Sequence, residues 1–337
     1  YDLLYRSPRQ HVGGCRWHSF YHQRGYHPDP FYGGLMDVFR QPKYSYYMFQ
    51  AQRSPKKQDR LFETGPMVYI AHEMTPFSPK DVTVYSNCDE VRLTYNKGGK
   101  SLTYTKPVSR EGMPSPIITF KDVYNFMIDK NMSMKEGRQK EVFLLAEGLI
   151  NGKVVATHKV CPARRPSKLL LWIDNENTEL KADGSDFVTV IAAIADKNGN
   201  IKRLNNYYVK FHIEGEGRIL GGANVLANPA PVKWGTAPIL VQSTLKPGKI
   251  KITASVLFEG SQMPVSAELE LESKPSAYPL IYASEEAALI PMKSDSQSFP
   301  ITAKSQKELE KEKAVKEQNE RKLKEVEQQQ ADFGEKK

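Results

Sequence analysis

Three cysteines in 337 residues, Cys15, Cys88 and Cys161, are odd in number and widely spaced, which excludes a disulfide framework and a zinc ribbon. With no CxxC pair, all three read as small buried hydrophobes. Nowhere do eighteen apolar residues run together, so no helix long enough to span a bilayer is expected. The chain opens at Tyr1 without a methionine, a basic n-region or an apolar signal core, as expected of a fragment or a processed piece. Its first 62 residues contain no glutamate, and their only carboxylates are Asp2, Asp29, Asp37 and Asp59.

Charge is also short of a pattern. Lys and Arg number 48 against 39 Asp and Glu, a net charge of +9, yet the cations alternate with aromatics and prolines instead of lining one helix face. That argues for a solvated surface and against a nucleic-acid partner. With this length, two or three domains can each bury a core.

What is abundant is aromatic. Residues 13–34, GGCRWHSFYHQRGYHPDPFYGG, place Trp17, Phe20, Tyr21, Tyr26, Phe31 and Tyr32 among three histidines and two arginines. His18 and His22 are four apart, the spacing of a helical zinc pair, but glycines and prolines interrupt the segment and no Glu lies between them, so no metal is expected. An aromatic platform with convergent polar groups suits a pyranose. Composition supports packing of a crowded core equally well.

Further along, period-two alternation dominates. From 66 to 161 the runs MVYIAHEM, DVTVYSNC, EVRLTYN, SLTYT, PIITF, EVFLLAEGLI and KVVATHKV are separated by turn residues, as in an antiparallel sandwich. Glycines in YNKGGKSL and LINGKVV mark hairpins. A second set, KLLLWID, DFVTVIAAIAD, YYVKFHIEGEG, APILVQST, GKIKITASVLFEG and SAELELES, predicts another sandwich after the proline-bounded linker CPARRPSK. Pro42 and the breaker-free YSYYMFQAQ predict a helix before Pro55. Residues 304–330 lack Gly and Pro and are rich in Glu, Lys and Gln, which predicts a solvated helix; its apolar spacing breaks any heptad.

These segments carry a resemblance. GGCRWHSF followed by RGYHPDPFYGGLMDVFRQPKYSYYMFQAQ resembles the last strand, loop and helix of the catalytic barrel in glycoside hydrolase family 2. VYSNCDEVRLTYNKGGKSL is similar to a hairpin of the sandwich that follows this barrel, and AIADKNGN through VKFHIEGEGRILGGAN to GKIKITAS is similar to the next immunoglobulin-like domain. The resemblance covers residues 1–275 and implies a mainly β chain. Its parts would be a (β/α)8 barrel remnant over 1–56, a first β-sandwich over 60–164, a second, immunoglobulin-like one over 166–275, and a tail with a charged helix over 276–337.

The resemblance further implies a bacterial retaining glycosidase, β-galactosidase-like, whose two catalytic glutamates lie upstream, since residues 1–62 supply none. The fragment alone is then inactive. Trp17 matches the family's aromatic at the end of the eighth strand, while Tyr21 and His22 stand where many relatives read Asp after the Phe. With Arg24 and Asp29 on the following loop these form the expected substrate-binding set, with no catalytic residue and no metal ligand among them. Implied partners are an oligosaccharide and the upstream domains of the same chain, with no cofactor, in the periplasm or outside the cell. Self-association is left open. The competing readings are a non-catalytic adhesion protein of immunoglobulin-like modules, and a carbohydrate-binding module using an aromatic row of Tyr85, Tyr95 and Tyr104.

Overall fold

A computed structural model describes residues 2–277 except positions 9, 12–13, 15–17, 24–29, 58–63, 96–100, 106–111, 129, 131–141, 175–177 and 258–263. The charged helix expected over 304–330 lies outside the described residues.

Four sheets dominate. The first is three-stranded, in the order β1 (Val68–Ala71), β2 (Val82–Ser86), β5 (Ile118–Phe120). The second runs β4 (Ser101–Thr105), β3 (Glu90–Tyr95), β6 (Leu144–Ile150), β7 (Lys153–Val160). Every pairing in both is antiparallel. Alternation in the sequence becomes one inward face per strand, and Val82, Val84, Val91, Leu93, Leu144 and Ala146 meet in a common core between the sheets. The β6–β7 hairpin turns through Asn151 and Gly152, both at positive φ, as that two-residue turn requires.

The other two sheets follow. One has the order β12 (Gly217–Ile219), β14 (Thr236–Ser243), β10 (Phe187–Ala195), β8 (Lys168–Asp174). Facing it are β13 (Ala230–Pro231), β11 (Tyr208–Gly215), β15 (Gly248–Leu257), β16 (Ala267–Pro275) and β9 (Lys181–Ala182), the last joined to β16 in parallel. Val190, Ile194, Val209, Phe211, Ile239, Ile250 and Ile252 fill the space between them. Over most of its length β10 is buried on both faces, which explains the unbroken apolar run VIAAIA.

β7 and β8 lie in different sheets, and the connection between them is pinned near its middle to the loop after β10. The backbone N–H of Arg164 donates to Asp196 Oδ2 at 3.0 Å, and Lys202 Nζ donates to the carbonyl of Ala163 at 3.4 Å. Asp196 is fully buried, and its Oδ1 also accepts from the backbone N–H groups of Asn198 and Asn200. Burial pushes its pKa up, but these hydrogen bonds outweigh burial and hold it below the ordinary carboxylate range.

Two of the cysteines are described. Cys88 is buried, whereas Cys161 is half-buried in the connection after β7 and is not the core residue the sequence reading expected. The proposed aromatic row is also absent. Tyr95 and Tyr104 pack against the first core, Tyr85 sits opposite Tyr69 across the β1–β2 ladder, and none of the three is exposed.

Two short helices precede the sheets. α1 (Asp2–Tyr5) anchors to the β4–β5 connection, since Asp2 Oδ1 accepts the backbone N–H of Met113 at 3.0 Å. α2 (Tyr44–Gln50) is followed by Gln52, whose amide exchanges two hydrogen bonds with the backbone of Ser115, at 2.8 and 3.0 Å. Asn87, also buried, donates to the carbonyls of Arg53 and Gly65 and accepts from the N–H of Met67. The segment before the first sandwich is thus sewn to it by side-chain amides that satisfy loop backbone.

Candidate functional site

The aromatic stretch is extended where it is described. Phe20 bridges Met36, His22 bridges Phe31, and Met36 bridges Pro42. Leu35 and Met36 donate to the carbonyl of Ser19, Tyr21 to Met36, and Phe31 to His22, all between 2.9 and 3.1 Å. Gly34 is required at this crossing, because a Cβ there would lie 2.4 Å from the Phe20 carbonyl carbon and 2.5 Å from the Tyr21 nitrogen. Asp37 closes the turn that follows. Its Oδ1 accepts from the backbone of Phe39 and Gln41, and its Oδ2 from the Gln41 side chain. Burial nevertheless raises its pKa, and the charge of Asp174 at the end of β8 adds to the rise.

On this frame the rings gather. Tyr21 and Tyr32 meet edge to face, with centroids 5.1 Å apart. Lys43 Nζ sits 4.6 Å above the Tyr21 ring and Arg40 Cζ 4.2 Å above Phe20, placing two cations on aromatic faces. His18 and His22 are tilted against each other at 3.9 Å, and His22 also contacts Phe31. Burial and the neighbouring His22 both lower the pKa of His18, which favours its neutral ring. Phe20, Phe31 and Tyr32 remain exposed.

Of the expected substrate set, Tyr21 and His22 are brought together here. Trp17, Arg24 and Asp29 lie outside the described residues, as does His27. Among the described residues no group of three or more His, Cys, Asp and Glu could hold a metal ion. Arg40 and Lys43 escaped the sequence reading, although FRQPK places both directly after the aromatic run.

α2 packs on the first sandwich and reaches the second through Glu73. Tyr47 stacks on Tyr69 of β1 at 3.5 Å with the planes 8° apart, and Tyr69 stacks in turn on His158 of β7 at 4.4 Å. The Tyr44 hydroxyl donates to Glu73 Oε1 at 2.8 Å. Burial and the adjacent Glu73 charge hold its proton well above the ordinary tyrosine range, so it donates throughout the ordinary pH range. Glu73 Oε2 accepts from Arg203 Nε at 3.0 Å, and Arg203 Nη1 donates to the carbonyl of Trp234 at 3.1 Å.

Comparison with known proteins agrees with this arrangement. Residues 171–257 match the family model described as glycoside hydrolase family 2 C-terminal domain 5. A β-galactosidase of Thermoanaerobacter pseudethanolicus is 33% identical over 239 residues, covering 70% of this chain and 30% of the relative. A β-galactosidase of Bacteroides ovatus is 29% identical over 235 residues, 66% of this chain and 24% of its own length. The chain therefore spans less than a third of these curated relatives. In fold it is similar to a β-glucuronidase of the same family, with a TM-score of 0.54 and 22% identity over 74% of this chain and 24% of that one. By sequence and by fold, the chain is a C-terminal portion of a glycoside hydrolase family 2 protein.

Proposed function

We propose that this chain is the C-terminal part of a retaining glycosidase that cleaves β-linked, galacto-configured oligosaccharides, with its acid/base and nucleophile glutamates upstream. In this reading residues 1–56 complete a (β/α)8 barrel. Residues 60–164 and 166–275 are accessory sandwiches, the second immunoglobulin-like, and 276–337 are a tail with a charged helix. Trp17 presents its ring to the sugar, Tyr21 and His22 line the same subsite, and Arg24 and Asp29 approach from the loop beyond. The enzyme acts in the periplasm or outside the cell.

The observation that carries the reading is the aromatic and cationic frame of Phe20, Tyr21, Tyr32, Arg40 and Lys43, which leads directly into α2 in a chain related to β-galactosidases. Aromatic rings for the sugar's C–H groups, with cationic donors fixed beside them, are what a pyranose subsite needs. An adhesion module would have no use for a pre-shaped subsite beside a barrel helix. The test is hydrolysis of an aryl β-galactoside by the full-length parent, with the anomeric configuration of the first product followed by NMR. Retention supports the reading. Inversion, or no turnover of this or any other aryl glycoside, removes it.

A further inference from the structure

The turn that leads from β13 into β14 carries a tryptophan where the backbone disfavours one. Lys233 and Thr236 exchange two backbone hydrogen bonds, at 2.8 and 3.1 Å, around the two-residue turn Trp234–Gly235. Both residues have positive φ, 52° and 84°, the geometry that Asn-Gly ordinarily supplies. A bulky side chain is strained there. Burial does not offset the strain, because Trp234 is 54% exposed. Among the described residues its indole N–H donates to nothing.

The backbone beneath the ring is nevertheless held from several sides. Arg203 Nη1 donates to the carbonyl of Trp234, and Ile194 donates to that of Gly235 at 3.1 Å. A Cβ on Gly235 would stand 2.7 Å from Ile201 and 2.9 Å from the Lys202 carbonyl, so the turn is pressed onto residues 201–203. Arg203 is itself held by Glu73, and Glu73 by Tyr44 of α2. A strained, over-determined residue with its functional group in solvent is how binding sites store pre-organisation.

We infer that Trp234 is a glycan-stacking platform at the seam between the two sandwiches and α2, taking a pyranose ring of a β-linked oligosaccharide. The ring offers an apolar face to the sugar's C–H groups and a free N–H to a hydroxyl, with Lys233 beside it. This inference rests on the glycosidase reading above, and its test is a binding measurement that needs no catalysis.

The chain has three tryptophans, at positions 17, 172 and 234, so its indole N–H signals can be assigned by substitution. The full 337-residue chain is titrated with β-1,4-galactotetraose and with an oligo-β-glucuronide of the same length, each to about 10 mM. We expect one of them to shift the Trp234 signal saturably, with Trp234→Ala binding about tenfold weaker or less tightly still. Trp234→Asn, which the left-handed turn tolerates, should lose binding while melting no lower than the parent chain. A Trp234 signal unmoved by both sugars overturns the inference, and so does a Trp234→Asn variant that binds normally or melts several degrees lower. A shift confined to Trp17 overturns it while leaving the glycosidase reading intact; that reading fails separately, in the hydrolysis assay on the full-length parent.

Discussion

Arg203 and Glu73 stand 130 residues apart in the chain and 3.0 Å apart in space, with their side chains only 25% and 16% exposed. The pair joins the loop after β10 to the loop after β1. Through the Tyr44 hydroxyl it joins both sandwiches to α2. Removing one partner strands the other charge in a partly dry setting, which costs more than the pair itself contributes.

Arg203→Met should therefore destabilise the chain by about 2–4 kcal/mol, and Glu73→Gln by less, since the amide oxygen still accepts from Arg203. A double-mutant cycle in chemical denaturation should give a coupling above about 1 kcal/mol. A coupling indistinguishable from zero would show that the sandwiches are held together elsewhere.

Acid should weaken the first sandwich. His72 Nδ1 accepts the N–H of Met74 and its Nε2 meets the Pro79 carbonyl, a pattern that only the neutral ring satisfies. His158 Nδ1 accepts the N–H of Ile70 beneath the Tyr69 ring. Burial lowers both pKa values below the ordinary 6.5. The unfolded chain then takes up protons first, so stability is complete above about pH 6.5 and is lost as pH falls through the folded values. Replacing both histidines by glutamine should flatten much of the melting-temperature slope between about pH 6.5 and 5. An unchanged slope would assign the acid response to other groups.

Asp196 gives an acid handle of the same sign on the second sandwich, at lower pH. Its depressed pKa means that its contribution is full above the ordinary carboxylate value and disappears as pH falls through the lower folded one. Asp196→Ala leaves the N–H groups of Arg164, Asn198 and Asn200 without their acceptor, and should cost about 1–3 kcal/mol at neutral pH. The same loss in a variant that keeps the acceptor, Asp196→Asn, would point instead to the charge.

Most of the sheet architecture was legible. Alternation located all the longer strands, and Asn151-Gly152 announced its hairpin, because a strand with one buried face writes its period into the sequence. The two-residue strands β9 and β13 left no trace, since two residues cannot show a period. Three-residue β12 was missed, because the run read for β11 stops at Gly217 and only Glu216 stands between the two strands. The junction was equally hidden. Glu73, Tyr44 and Arg203 are ordinary surface residue types until tertiary folding brings them together, and no local spacing encodes a contact across 130 positions. For the candidate site, composition found the aromatic stretch but could not separate subsite from core. Arg40 and Lys43 were passed over because a cation above a ring has no sequence signature.

Trp17 offers a sharper separation. In the full-length parent, Trp17→Ala should reduce kcat/KM by about a hundredfold, because a platform lost from the subsite misplaces the sugar by about 1 Å against the upstream carboxylates. A tryptophan that only fills core would instead cost about 3–5 kcal/mol of stability and leave the surviving folded enzyme active. Measuring melting and turnover on the same variant distinguishes the two.

The most direct test of the whole account compares this 337-residue chain with its full-length parent on one aryl β-galactoside. With no glutamate before Glu63 and both catalytic carboxylates assigned upstream, the account predicts no turnover by the chain and β-galactoside hydrolysis by the parent. Turnover by the chain alone, abolished by a single substitution within it, would contradict it.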